Sequence, residues 1–112
     1  MNSYDNNDLK TVAVVTQEDT QTYEIKNIAT YEKYQGNGYG SVMIKYIIET
    51  IKNKGKILLI GTGENEKILS FYGKFGFGYS HTIKDFFVDN YEHEIFENGK
   101  QLRDMIYLKI EF

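Results

Sequence analysis

The chain has 112 residues, of which 41% are apolar and 26% charged, with a net charge of −3 at pH 7 and no cysteine. That length supports one hydrophobic core without room for a second, and the missing thiols exclude disulfide scaffolds, thiolate zinc sites and covalent thiol chemistry. The acidic balance argues against general affinity for nucleic acid, and no apolar run approaches the roughly 20 residues that cross a bilayer.

"MNSYDNNDLK", residues 1–10, is polar and slightly acidic, so it reads as a mobile arm and not as a signal peptide, with the cytoplasm as the default location. Thr11 to Gln17, "TVAVVTQ", is a β-branched run, and the polar "EDTQ" after it suits a turn. "TYEIKNIAT" then alternates, with Tyr23, Ile25, Asn27 and Ala29 on one face and Glu24, Lys26, Ile28 and Thr30 on the other. Together these segments predict an antiparallel hairpin. Ser41 to Asn53 has helical periodicity, with Lys45, Glu49 and Lys52 forming one narrow polar stripe on an otherwise apolar helix that should be mostly buried. Gly55 is its stop.

"KILLIGTG" holds four consecutive apolar residues before glycine, as a central strand covered on both faces would. In "ENEKILSFYGKFGF", Ile68, Phe71, Tyr72 and Phe75 share one face of a short helix closed by Gly76. Two more strands follow, near Tyr79 to Val88 and Met105 to Phe112, and the Asn98-Gly99 pair between them favours a tight hairpin turn. The expected architecture is α/β with a mixed sheet, in the order β-β-α-β-α-β-β, as a single domain over residues 1–112.

The stretch "YQGNGYGS" puts three glycines ahead of the first helix. It lacks the lysine of a P-loop, and its G-x-G-x-G spacing falls one residue short of a dinucleotide fingerprint. It does match Q/R-x-x-G-x-G/A from Gln35 to Gly40. A helix start presents amides without intrahelical partners and about half a positive charge, and glycine lets an anion reach them closely. On the loop alone, a phosphate cradle and a simple connecting turn both remain open.

With that loop between a strand and an apolar helix, the chain resembles the GNAT superfamily of N-acetyltransferases, over about Thr11 to Phe77 and more loosely beyond. A second family signature, N-x-x-A-x-x-x-Y-x-x-x-GF, is met by Asn65, Tyr72, Gly76 and Phe77, with Ile68 where a small residue is usual. The resemblance implies an acetyl-coenzyme A cosubstrate and no metal. It assigns Gln35, Gly36, Asn37, Gly38, Tyr39, Gly40 and Ser41 to the pyrophosphate. Main-chain groups of Ile28, Ala29 and Thr30 would take the pantetheine arm, with Asn65 hydrogen-bonding the same arm or capping its helix.

By the same resemblance Tyr72 is the proton donor to the departing thiolate, and Glu24 is the candidate base or else a carboxylate paired with Lys26. His81 and His93 are other possible bases. Without cysteine, direct attack of a primary amine on the thioester in a ternary complex is expected; a non-catalytic acyl-coenzyme A binding module is the alternative. The family fold usually opens with a strand and two helices that wall the acceptor site, and only residues 1–10 precede the first expected strand. A homodimer that covers the resulting surface is therefore expected. Six acids between Asp85 and Asp104 could form a rim that attracts cationic amines, or simply keep the surface soluble.

Overall fold

A computed structural model describes residues 2–5, 8–30, 38–97 and 99–112. Contacts divide it into two units, 1–59 with 111–112 and 60–110. In the first, β1 (Asn2–Asp5), β2 (Asp8–Gln17) and β3 (Thr22–Thr30) form an antiparallel ladder. Asp19 closes the β2–β3 turn: its Oδ1 accepts the Gln21 and Thr22 amides at 2.8 Å each, so a side chain stands in for a turn carbonyl.

The arm expected over residues 1–10 is corrected here. Asn2–Asp5 pair with β2 from Asn2↔Val12 to Asp5↔Asp8. Main-chain pairing at a sheet edge does not require apolar side chains, so a polar composition concealed the strand. β3 carries a second departure. Val14 pairs with Asn27 and Val15 with Ile25, which leaves Lys26 as the extra residue of a bulge. Strict alternation fails there: Glu24 and Ile25 are both buried, and Lys26 and Asn27 are both exposed.

Helix α1 (Tyr39–Ile51) packs on β2 and β3. Met43, Ile44, Ile47 and Ile51 are buried, as are Ala13 and Ile25 on the strands. That i, i+4, i+8 spacing is one helix face. The helix is less buried than expected, because Val42 and Tyr46 keep 60% and 57% of their surface exposed. Only one side of α1 meets the strands.

The start of β4 (Ile57–Gly63) is fixed by one carbonyl: Gln21 O accepts the amides of Lys56 and Ile57 at 2.8 and 3.0 Å. Gly55 lies so close that a Cβ there would stand 2.8 Å from the same oxygen and 2.9 Å from the Tyr23 ring.

In the second unit, β4 leads into α2 (Glu66–Gly73), β5 (Gly78–Ile83), α3 (Phe86–Asn90), β6 (Phe96–Glu97), β7 (Lys100–Gln101) and β8 (Met105–Glu111). The strand order is β1-β2-β3-β4-β8-β5, and β6 and β7 pair separately. Ile60, Tyr72, Phe77, Leu102 and Leu108 are buried hydrophobic residues of this unit. The expected β-β-α-β-α-β-β order is present, with β1, α3 and the β6–β7 hairpin added.

The strand expected to reach Val88 stops at Ile83, because Asp85 turns into the left-handed region at φ 56 and α3 begins. Gly99, at φ 78, lies between β6 and β7 and does not directly join the long strands. Asn98 lies outside the described residues.

Gly55→Ala should lower stability by about 1–3 kcal/mol, since a backbone oxygen cannot yield as a side chain can. Thermal melts of the two proteins check this.

Candidate active site

In the first unit, the predicted cofactor residues lie at the end of β3 and the start of α1. Gln35, Gly36 and Asn37 lie outside the described residues, while Gly38, Tyr39, Gly40 and Ser41 lie within them. Gly38 is the N-cap of α1 at φ 83, with no atom near the place of a Cβ. A side chain would be strained at that backbone angle whatever the space. The Val42 amide donates to Gly38 O at 3.0 Å, so the amides of Gly40 and Ser41 precede the first intrahelical bond. No acid stands in the first turn to offset the positive helix end. Chemically, this end suits an anion.

On β3, Ile28, Ala29 and Thr30 pair with Ala13, Val12 and Thr11 of β2. Glu24, further back on the strand, retains only 8% exposure, and its Oε2 lies 3.1 Å from Lys26 Nζ. Lys26 also reaches Glu18 at 3.4 Å. The hydrogen bond to Glu24, then the charges of Glu24 and Glu18, hold the Lys26 ammonium above its ordinary pKa. Glu24 is thus paired with Lys26, as one sequence alternative held, but it is buried where a solvated carboxylate was expected.

In the second unit, the predicted residues Asn65 and Tyr72 lie on α2 and its cap. Asn65 Oδ1 accepts the amides of Lys67 and Ile68 at 3.0 and 3.3 Å, which caps the helix. Asn65 Nδ2 donates to Glu97 Oε1. Around them a cavity of about 270 Å³ is lined by Glu64, Asn65, Glu66, Lys67, Glu97 and Lys100.

Tyr72 follows seven residues later, about two helical turns on. Its ring meets Phe71 and Phe77 edge-on, at centroid distances of 5.4 and 5.8 Å. Only 9% of the residue is exposed, and its hydroxyl hydrogen-bonds to none of the described residues. Burial raises its pKa above the usual tyrosine value, which keeps the O–H protonated at neutral pH. Such a group can give a proton.

The six acids from Asp85 to Asp104 do not act as one rim. Asp85 pairs with Arg103 at 3.0 Å, Asp104 accepts the Asp85 amide at 2.8 Å, and Glu97 holds Asn65. Asp89, Glu92 and Glu94 stay exposed. His81 stacks on Tyr107 with centroids 4.6 Å apart, and its Nδ1 lies 2.9 Å from Ser80 Oγ. His93 lines another cavity, of about 290 Å³, with Phe87, Tyr91 and Arg103.

Sequence reasoning counted Glu97 only among the six acids and missed it as the partner of Asn65. It sits 32 positions from Asn65, and the only local signal was the turn beside it. Among the described residues, no three His, Asp or Glu side chains group to hold a metal, and no helix is long and apolar enough to cross a membrane.

Two outcomes follow from this geometry. Asn65→Ala should cost about 0.5–2 kcal/mol of stability through the lost cap, read from thermal melts. A tyrosine whose folded pKa exceeds its unfolded value of about 10 stabilises the fold fully below that pH, and this contribution is lost as pH rises through the folded value. Between about pH 8 and about pH 11, the wild type should therefore lose more stability than Tyr72→Phe, as measured by urea midpoints.

The Acetyltransferase (GNAT) family model matches residues 4–77. Over 107 residues the chain is 41% identical to the uncharacterized N-acetyltransferase YvbK of Bacillus subtilis (strain 168), covering 93% of this chain and 68% of that protein. A crystal structure of a GNAT family acetyltransferase from Elizabethkingia anophelis, with acetyl-CoA bound, has a TM-score of 0.92 at 42% identity, over 97% of this chain and 72% of that one. A Bacillus subtilis acetyltransferase in complex with CoA has a TM-score of 0.94 at 36% identity, over 99% and 74%. A buried tyrosine two turns from an asparagine cap, and a helix that opens on glycine after a bulged strand, thus occur in a chain that belongs to the GNAT family of acetyltransferases.

Proposed function

We propose that this chain transfers the acetyl group of acetyl-coenzyme A to a primary amine, by direct attack while both substrates are bound. The observation that carries this reading is Tyr72, a buried and protonated phenol whose hydroxyl engages none of the described residues. Relatives with acetyl-CoA and CoA bound support it. Acetyl-coenzyme A supplies the activated thioester, and the remaining work falls to the chain. Amides from Gln35 to Ser41 hold the pyrophosphate at the positive end of α1. Main-chain groups of Ile28, Ala29 and Thr30 align the pantetheine arm, and Asn65 donates a hydrogen bond to it.

A lysine-like amine with a pKa of about 10.4 must lose a proton before it attacks, which costs roughly 4.6 kcal/mol at pH 7. Glu24 takes that proton, directly or through water, while Lys26 holds its Oε2. A C–N bond forms as the C–S bond breaks; Tyr72 gives its hydroxyl proton to the departing sulfur, and the second proton, shed by the acylated nitrogen, returns through water to the tyrosine. Buried among Phe71 and Phe77, Tyr72 keeps its hydroxyl proton until negative charge develops on the leaving sulfur. The reading includes a homodimer in the cytoplasm. Val42 and Tyr46, exposed four residues apart on α1, support the homodimer.

Thiol release from acetyl-coenzyme A across a panel of primary amines tests the reaction. Turnover with at least one amine is expected, and silence across the whole panel would overturn it. Tyr72→Phe should lower kcat by about 10²–10⁴-fold with little change in KM for acetyl-coenzyme A. Glu24→Gln should lower kcat most at the acidic end of the pH range, where the amine most needs a base.

A further inference from the structure

We infer that Glu97 is a positioning residue for the pantetheine arm, acting through Asn65; this rests on the cofactor reading above. Asn65 Oδ1 takes two helix amides, those of Lys67 and Ile68, which exhausts its two lone pairs. The amide cannot flip, because Nδ2 facing those amides would set donor against donor.

The cap fixes the oxygen but leaves the plane of the group able to swing. Glu97 Oε1 removes that freedom by taking one of the two Nδ2 protons. One N–H remains, and none of the described residues accepts it. It belongs to a residue that lines the cavity of about 270 Å³. What binds there must present an acceptor oxygen, such as an amide carbonyl of pantetheine, and not a donor.

Glu97 is itself held in place. It pairs with Lys100 across the β6–β7 hairpin, and Lys100 Nζ lies 3.7 Å from Glu64 Oε2, next to Asn65 in sequence. Leu102 follows the hairpin, donating its amide to Ile95 O at 2.7 Å. Its Cδ2 comes within 2.8 Å of where a Cβ on Gly63 would stand. The hairpin is therefore tied to the start of α2 by Glu97, Lys100 and Leu102. All three lie outside the residues 4–77 that the family model matches, so this device belongs to the part of the chain that the model does not describe.

The test is calorimetry with coenzyme A and, in parallel, with its nucleotide half, adenosine 3′-phosphate 5′-diphosphate, which lacks pantetheine. Glu97→Ala should weaken coenzyme A by about three- to tenfold and leave the nucleotide half unchanged. Glu97→Asp, which keeps the charge but withdraws the carboxylate by one methylene, should show the same loss. Glu97→Gln, which keeps the reach, should bind as the wild type does. In an Asn65→Ala background, Glu97→Ala should have no further effect. Wild-type affinity for coenzyme A in Glu97→Asp, an equal loss on the nucleotide half, or additivity with Asn65→Ala would each overturn the inference. Failure of the wild type to bind coenzyme A at all would instead overturn the cofactor reading, and this inference with it.

Discussion

The amides at the start of an α-helix have no carbonyl four residues back within the helix, and something else must satisfy them. The two long helices of this chain meet that requirement in opposite ways. At α2, Asn65 turns its own oxygen onto two amides and closes the end with a side chain. At α1, the N-cap is Gly38, which has no side chain to offer and leaves open space around it. One end is sealed by a side chain, while the other has no side-chain cap. Much of the proposed function descends from this asymmetry, because an uncapped helix start is where an anion is favoured.

Burial serves chemistry in the second unit as well as stability. Tyr72 belongs to the apolar stripe that packs α2, beside Phe71 and Phe77, and the desolvation that this packing imposes keeps its hydroxyl protonated. A solvated tyrosine would find water as its partner. Tyr72 instead lies in the core, its hydroxyl without a hydrogen-bond partner among the described residues. In the first unit Glu24 is also mostly buried, but with an ammonium alongside, so the two candidate proton-handling groups sit in environments of opposite character.

Much of this was legible in the residues. β-branched runs, a glycine-punctuated helix and four consecutive apolar residues are local signals, and they located β2, β3, α1, β4 and α2. What escaped was set by contacts distant in the chain. The polar residues Asn2–Asp5 become a strand because β2 offers them its edge. Lys26 is extruded because Val14 and Val15 pair on either side of it, and no rule of alternation can anticipate an extra residue. Asp85, a non-glycine residue in the left-handed region, ends β5 with its amide on Asp104 and its carboxylate on Arg103. Asn65, Tyr72 and the glycines were proposed from their match to family motifs. Glu97 could not be found that way, since nothing within a few positions marks it as the partner of a residue 32 away.

The extruded Lys26 has a bearing on how such a site can diversify. A regular strand locks every side chain to one phase, so a change of facing at one end is transmitted to the other. With one surplus residue between Ile25 and Asn27, the phase is reset, and the portion carrying Glu24 is uncoupled from the portion running to Thr30. The side chain at position 24 can be exchanged or re-aimed while the main chain at Ile28 to Thr30 keeps its pairing with β2. A single kink in the ladder thus lets one portion of the strand vary while the other stays constant.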